Sequence, residues 1–498
     1  MSVVEDWDTA NNRRQMGESS GSINKKIDPN AVNTGEAANK NELMTPEELM
    51  KLMQSAYRQG LNYQQTVLRP RWTGAYNAFN NQHHTESKYR TTRWRGRSRL
   101  FRPKTRSTVR RKAAEAASAL HATSEAVVIS AGNDADPVQA ASAAVIHALV
   151  NYRLDRATAQ SGIPWFMISM GAHMSAQVAG LCISKQYWEF EERIIGQQEI
   201  EQTDANGVIT VSKQPIVKKI KDRPRILLIP GEDCIRDPSA AWENQAQDSS
   251  YLILRYPIPL SEVRNFLNAQ NSETTIKWQT ISDETLRSAA GAKPAGADTA
   301  EATRRSRENS GSDRYSDNNV DAEYRPVWLH ENFMRVDGTD WVFWSLGETT
   351  RLSDPAPVEK VYPHLNGMRP VSIGIGSLEP FKIDPMAAVS AWQPLQQEIN
   401  DVANLRLDVL KQTVSPLTKV VRGRSIDVKA LQQRSPDTVI YVQNQDDVTF
   451  DRPGNVGQEA YIEMEKLNVD FDEQAGVFGT GGVQSNNQLN KTATGMNL

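Results

Sequence analysis

The chain has 498 residues, 57 Lys and Arg against 60 Asp and Glu, and 39% hydrophobic residues. It is long enough for about three or four ordinary domains or one large core, and its near-neutral charge excludes a uniformly polycationic or polyanionic protein. A mean hydropathy of -0.57 indicates ordered regions diluted by polar loops, and two cysteines, Cys182 and Cys234, exclude a disulfide framework and fit a reducing cytoplasm.

Residues 1–42 are rich in Asn, Gly, Ser and charge without apolar periodicity and predict a mobile arm, with no basic and hydrophobic opening of a secretory signal. Thr45, Pro46 and Glu48 then form a capping-box pattern, followed by Leu49, Leu52, Met53 and Ala56 on one helical face. After RPRWTGAYNAFNN, the stretch Lys88 to Lys112 carries twelve Lys or Arg and no acid. Asp136 and Pro137 start a second helix with the stripe Val138, Ala141, Val145, Leu149 and Tyr152 facing inward. Ala159 to Ser184 contains no charged residue but is interrupted by Ser, Gly, Gln and His173, which predicts a buried helix rather than a membrane span.

From Leu181 to Pro230 the pattern turns to four short strands with an Asn206-Gly207 hairpin signal, a β-meander. A short helix is expected at Pro259–Asn268, and the Ala-, Gly-, Ser-, Arg- and Asp-rich run Ser288 to Asp321 reads as a flexible excursion. A second β-rich block, Tyr324 to Ile375, holds an Asp337-Gly338 turn. The longest helix is expected over Met386–Val414 with Leu395, Ile399, Val402 and Val409 as its stripe, and Pro394 in its first turns or at a kink. A strand candidate at Thr438–Val442, a helix near Gln458–Glu473 and a Gly- and Asn-rich end complete the chain.

Chemical motifs are sparse. The sequence contains no Gly-Lys dipeptide and hence no Walker A loop, no H-E-x-x-H or G-x-G-x-x-G, and Gly374-Ile375-Gly376 reads as a turn before a helix. His83-His84 is the one adjacent histidine pair, without metal-ligand spacing. No catalytic residue, metal site or cofactor is expected. The basic run is different: Arg93, Arg95, Arg97, Arg99, Arg102, Lys104 and Arg106, interleaved with Tyr89, Trp94 and Phe101, could meet phosphates and bases. Equally, Arg90 to Arg102 could be an extended strand pairing with acids of the same chain or a neighbouring subunit.

The order of segments resembles the portal family of short-tailed phages, in particular the large portals of podoviruses. The residues that carry the resemblance are Trp72, Gly74, Tyr76, Asn77, Ser98, Leu100, Phe101, Pro103 and Thr105 near the start. GLCISKQYWEFEE and GEDCIRDPSAAW follow in the middle, and Gln397, Ile399, Asn400, Asn404, Asp408 and Pro416 come later. The resemblance implies an α+β portal-type subunit with long stem helices, β-rich hairpins and a helical wing. It implies a ring, usually of twelve subunits, around double-stranded DNA, with major capsid protein, terminase and tail or adaptor proteins as partners and no membrane. The place is the capsid vertex of the virion, after assembly in the host cytoplasm. The corresponding division is an arm at 1–42, a wing region at 43–235, a stem/clip-like region at 236–395 with a flexible insertion at 288–321, and a long helix with wing or tunnel region at 396–498. A C-terminal crown is expected to be absent. Lys419, Arg422 and Arg424 are candidates for lining the channel, and the basic segment falls in the wing, where protein contact is slightly favoured. The alternatives are a nuclease-like cytoplasmic enzyme using paired acids such as Glu191-Glu192, Asp446-Asp447 or Asp470-Asp472, and a DNA-binding scaffold protein that forms no ring.

Overall fold

In a computed structural model, residues 45–123, 125–133, 135–155, 163–203, 209–268, 276–290, 292–311, 321–415, 417–423, 426, 428–432, 439, 441–451, 454 and 457–476 are described. Helix α1 (Pro46–Tyr63) begins at the expected proline, with Glu47 and Glu48 at its positive end, and continues through a π-turn at Gln64–Leu68 into α2 (Arg69–Phe79). Pro70 lacks the N–H that an unbroken helix would need there, and the wider turn absorbs that loss. Leu49, Met53, Ala56 and Tyr57 are buried, but Leu52 faces solvent, unlike its expected place on the inner stripe. At Gly60 a Cβ would lie 2.5 Å from Ile235 Cγ2 and 2.8 Å from the Arg236 carbonyl oxygen, so only glycine lets α1 approach the sheet this closely.

The next three helices are α3 (Lys104–Leu120), α4 (Pro137–Asp155) and α5 (Trp165–Ala179). Asp136 caps α4 as anticipated, its Oδ1 accepting from the Val138 N–H at 2.9 Å. The stripe of α4 does not face inward: Val138 is 70% exposed and Val145 68%. A mixed side of the helix, Ala143, His147, Val150, Asn151 and Leu154, turns toward the chain instead, where Asn151 binds the backbone of Ala126 and Val127 and His147 accepts from Ile129 N–H. Helix α5 buries Ala176, Val178 and Ala179 but exposes Phe166 and Met167 at its start, so the buried-helix reading holds for its second half. Among the described residues no helix is long and apolar enough to cross a membrane.

The meander is replaced by one long antiparallel hairpin, β1 (Leu181–Thr203) against β2 (Ile209–Ile229), with the Asn206-Gly207 pair outside the described residues. Two register shifts, at Glu191/Glu192 and Ile194/Gly196, accommodate the breaks that read as strand ends in the sequence. β9 (Val371–Ile375) pairs with the first residues of β1. Gly374 and Gly376 therefore belong to a strand end, not a turn before a helix: a Cβ at Gly376 would lie 2.3 Å from the Ala176 carbonyl oxygen.

A second antiparallel sheet runs β3 (Cys234–Arg236), β4 (Tyr251–Pro259), β5 (Pro326–Val336), β6 (Thr339–Leu346) and β7 (Thr350–Arg351), with β8 (Ala356–Pro357) also on β6. Asp337 and Gly338, both at positive φ, make the expected tight turn. Lys185 on β1 and Glu331 on β5 tie the two sheets at 2.5 Å, and Tyr256 and Tyr362 donate to the same buried carboxylate. Helices α6 (Leu260–Asn268) and α7 (Asp283–Ala289) follow β4.

The run read as a flexible excursion contains an ordered helix, α8 (Ala297–Glu308), packed on α2, while 312–320 lies outside the described residues. Local and tertiary pairing override its composition: Arg304 bonds Glu301 one turn back in the same helix, and Arg307 reaches Glu232 at 2.9 Å. Helix α9 (Ala388–Val414) carries Pro394 as its seventh residue, past the first turn, so the hydrogen bond back to Ser390 is absent there, and it buries Ile399. Beyond it, β10 (Leu417–Val420) and β11 (Val448–Asp451) form a small two-stranded lobe before α10 (Glu459–Gln474). No strand is assigned to the described residues of 438–442. The expected boundaries at 235/236 and 395/396 fall inside β3 and α9.

Candidate functional site: the basic segment and the long helix

The basic run is neither a strand nor a helix throughout. Two 3-10 turns, Lys88–Arg90 and Thr92–Trp94, lead to an extended stretch over 98–103 and then into α3. The extended stretch lies along α9, which binds it as a neighbouring strand would. Ser98 N–H donates to Asp408 Oδ1 at 2.7 Å, Leu100 N–H to Asn404 Oδ1 at 2.7 Å, Arg102 N–H to Asn400 Oδ1 at 2.8 Å, and Thr105 N–H to Gln396 Oε1 at 2.9 Å. Two amides also donate back, Gln396 Nε2 to the Arg102 carbonyl at 2.7 Å and Asn404 Nδ2 to the Leu100 carbonyl at 2.8 Å.

The spacing explains why Asn and Gln recur every four residues. Four residues of helix rise about 6 Å, and two residues of extended chain span about 6.6 Å. Side-chain oxygens four residues apart can therefore meet every second peptide group of a passing extended chain, as Asp408, Asn404 and Asn400 meet residues 98, 100 and 102, while Gln396 meets Thr105, three residues on, where α3 has begun. Each satisfies a backbone donor or acceptor, part-buried at Ser98, Leu100 and Arg102 and buried at Thr105.

This arrangement brings together two of the segments singled out in the sequence, Ser98–Thr105 and Asn400–Asn404–Asp408. It corrects one position. Gln397 is exposed, while Gln396, not picked out by sequence, is buried and holds Thr105. The signal was present as the fourth member of a strict four-residue spacing.

The charged side chains divide into two groups. Lys88 pairs with Asp401 at 2.7 Å, beside a bond from Tyr89 Oη to the same carboxylate, and Lys104 pairs with Asp472 at 2.8 Å. Burial, together with Asp401, holds the Tyr89 phenol well above its ordinary pKa. Arg106 lies over the Phe79 ring, and Arg102 contributes its backbone to the ladder. Arg93, Arg95, Arg97 and Arg99 are exposed and, among the described residues, make no ion pair. Arg97 stacks on Trp94, 4.7 Å from the ring centroid, with Lys88 at 5.3 Å from the same ring.

The lobe candidates are not gathered into one patch. Lys419 pairs across the two strands with Asp451 at 2.5 Å, Arg422 is exposed on the following turn, and Arg424 lies outside the described residues. Asp447 closes a capping box with Asn444, and Asp472 is engaged by Lys104, so two of the acid pairs weighed for a nuclease include a carboxylate with a structural partner. Among the described residues no three His, Cys, Asp or Glu side chains are grouped to hold a metal. His83 packs as an aromatic on Tyr89, and burial pushes the Cys234 thiol up to about 12.

The chain is an α+β unit whose polar side chains hold its own segments together and whose surface carries charged and apolar groups. The family described as phage SU10 portal protein matches residues 49–498, and the chain belongs to that family of bacteriophage portal proteins. Membership gives it a structural role at the capsid vertex of the virion. No curated protein matches the chain.

Proposed function

We propose that this chain is the repeating subunit of a ring, of about twelve copies, that forms the channel through which double-stranded DNA enters and leaves the capsid. The observation that carries this reading is how much apolar side chain the unit leaves outside its own core. Val138, Val145 and Leu149 on α4, Trp188 and Phe190 on the hairpin, Leu405 and Leu410 on α9, and Ile462 and Val469 on α10 are all 46% exposed or more. Surface of that kind, spread over several elements, is buried when copies pack together, and a head-to-tail contact whose rotation closes gives a ring.

Helices α9 and α10 run antiparallel, with Trp392 near Phe471 and Arg406 over Tyr461. The β10–β11 lobe joins their far ends. We assign the helix pair to the stem and the lobe to the end that receives terminase and then tail or adaptor proteins, with Lys419, Arg422 and Arg424 as the candidates for contact with DNA. The α4 and hairpin region serves as the wing against major capsid protein. ATP hydrolysis belongs to the separate terminase, and this chain acts without a cofactor, first in the host cytoplasm during assembly. The test is packaging in vitro. Heads assembled with the chain should protect DNA from nuclease when terminase and ATP are added, and heads lacking it should not; equal protection in both would defeat the proposal.

A further inference from the structure

A basic turn and the acidic start of α10 lie at the same level along the C-terminal half of α9. On one side, Asp401, Asn404, Asp408 and Lys411 hold Lys88, Leu100 and Ser98, so the turn carrying Arg93, Arg95, Arg97 and Arg99 projects there. On the other side, α10 packs with Tyr461 under Arg406, the ring centroid 4.8 Å from the guanidinium. Its solvent face presents Glu459, Glu463 and Glu465 at this level, with exposed Lys466 among them and Asp470 and Glu473 further along toward Trp392, around exposed Ile462 and Val469. Among the described residues, neither these five carboxylates nor the four arginines make an ion pair.

At about 100° per residue, Asn404 and Asp408 each lie about 160° around α9 from Arg406. The helix is thus a wall with a basic turn on one side and an acidic helix on nearly the opposite side. Such a subunit is not self-complementary about a twofold axis, but it is complementary to the next copy in a head-to-tail series, the arrangement that closes rings. We propose that the Arg93–Arg99 turn of one copy docks on the acidic face of α10 in the next copy.

This inference rests on the ring reading above and names its contact. Trp94, framed by Lys88 and Arg97, and Leu100, 44% exposed, supply apolar surface opposite Ile462 and Val469. A duplex on the arginine turn would leave the acidic row and its apolar centre uncovered. A second copy of the chain covers both.

The experiment is a charge exchange read by mass photometry at low salt. R93E/R95E/R99E and E459R/E463R/E465R should each melt like the wild type yet raise the ring dissociation concentration on the order of ten-fold or more. The six-fold exchange in one chain, and an equal mixture of the two triple variants, should restore rings. Should the first triple variant fail to fold, R93Q/R95Q/R99Q and the α10 variant carry the same test. Rings that form normally in either triple variant, or a six-fold exchange no better than the triples, overturn the proposal. Intact rings with lost duplex binding in R93E/R95E/R99E would assign the arginines to DNA instead. A wild-type chain that forms no ring removes the ring reading as well, whereas rings indifferent to these changes remove only this contact.

Discussion

Replacing Gln396 with alanine tests the amide ladder at its driest rung. Gln396 is 2% exposed and Thr105 fully buried, and the lost side chain leaves the Thr105 N–H and hydroxyl and the Arg102 carbonyl without their protein partner. A buried group left unsatisfied costs about 1–3 kcal/mol, so with water excluded from Thr105 the substitution should destabilise the packing of 98–105 on α9 by roughly 2–4 kcal/mol. Asn404→Ala, at a side chain 1% exposed, should cost less, roughly 1–2 kcal/mol, because the Leu100 N–H and carbonyl it serves are only part-buried. Gln397→Ala, on the exposed side, should stay within about 0.5 kcal/mol of wild type. Hydrogen exchange of peptides spanning 98–106 reads these differences directly. Equal protection in Gln396→Ala and Gln397→Ala, or wild-type amides that exchange as fast as open loops, would refute the ladder as a load on this fold.

Ile399→Asp places a carboxylate at a site 2% exposed and should cost several kcal/mol, abolishing soluble, assembly-competent protein; Val402→Asp, at a partly buried site, should be milder, and normal yields of both would put the stripe on the surface. Burial, with Arg255 beside it, lowers the His330 pKa from 6.5 to about 3. Its folded pKa lies below the unfolded one, so the stability it contributes is full above pH 6.5 and is lost as pH falls toward about 3, by about 1.4 kcal/mol per unit; in His330→Gln, denaturation midpoints measured from pH 7 to 4 should show a correspondingly flatter dependence. Neutralising Lys419, Arg422 and Arg424 together should leave assembly intact and change DNA packaging or retention. Loss of assembly would move them to an interface.

Elements whose signals are local were legible. The Pro46 start, the Asp136 cap, the Asp337-Gly338 turn and the long helix to Val414 each rest on a few neighbouring residues. What the sequence hid depends on partners far along the chain. Helix α8 looks like low-complexity linker until Glu232, about seventy residues upstream, receives Arg307. The stripe of α4 is apolar, but so is part of its other side, and within this unit the side with Ala143, His147, Val150, Asn151 and Leu154 faces inward. The repeated Asn400, Asn404 and Asp408 were visible as a pattern, yet their purpose required the extended segment some three hundred residues earlier. The basic run was legible as charge only; sequence could not separate Lys88 and Lys104, which have acids waiting on α9 and α10, from the four arginines that do not.

The central claim, that this portal-family chain builds a ring, is tested most directly by imaging and weighing the purified protein. Negative-stain electron microscopy with native mass measurement should show annular particles with an axial hole and a mass of about 0.67 MDa, twelve chains of 55.6 kDa. A population that remains monomeric or dimeric at every protein concentration and salt tested, without annular particles, would contradict it.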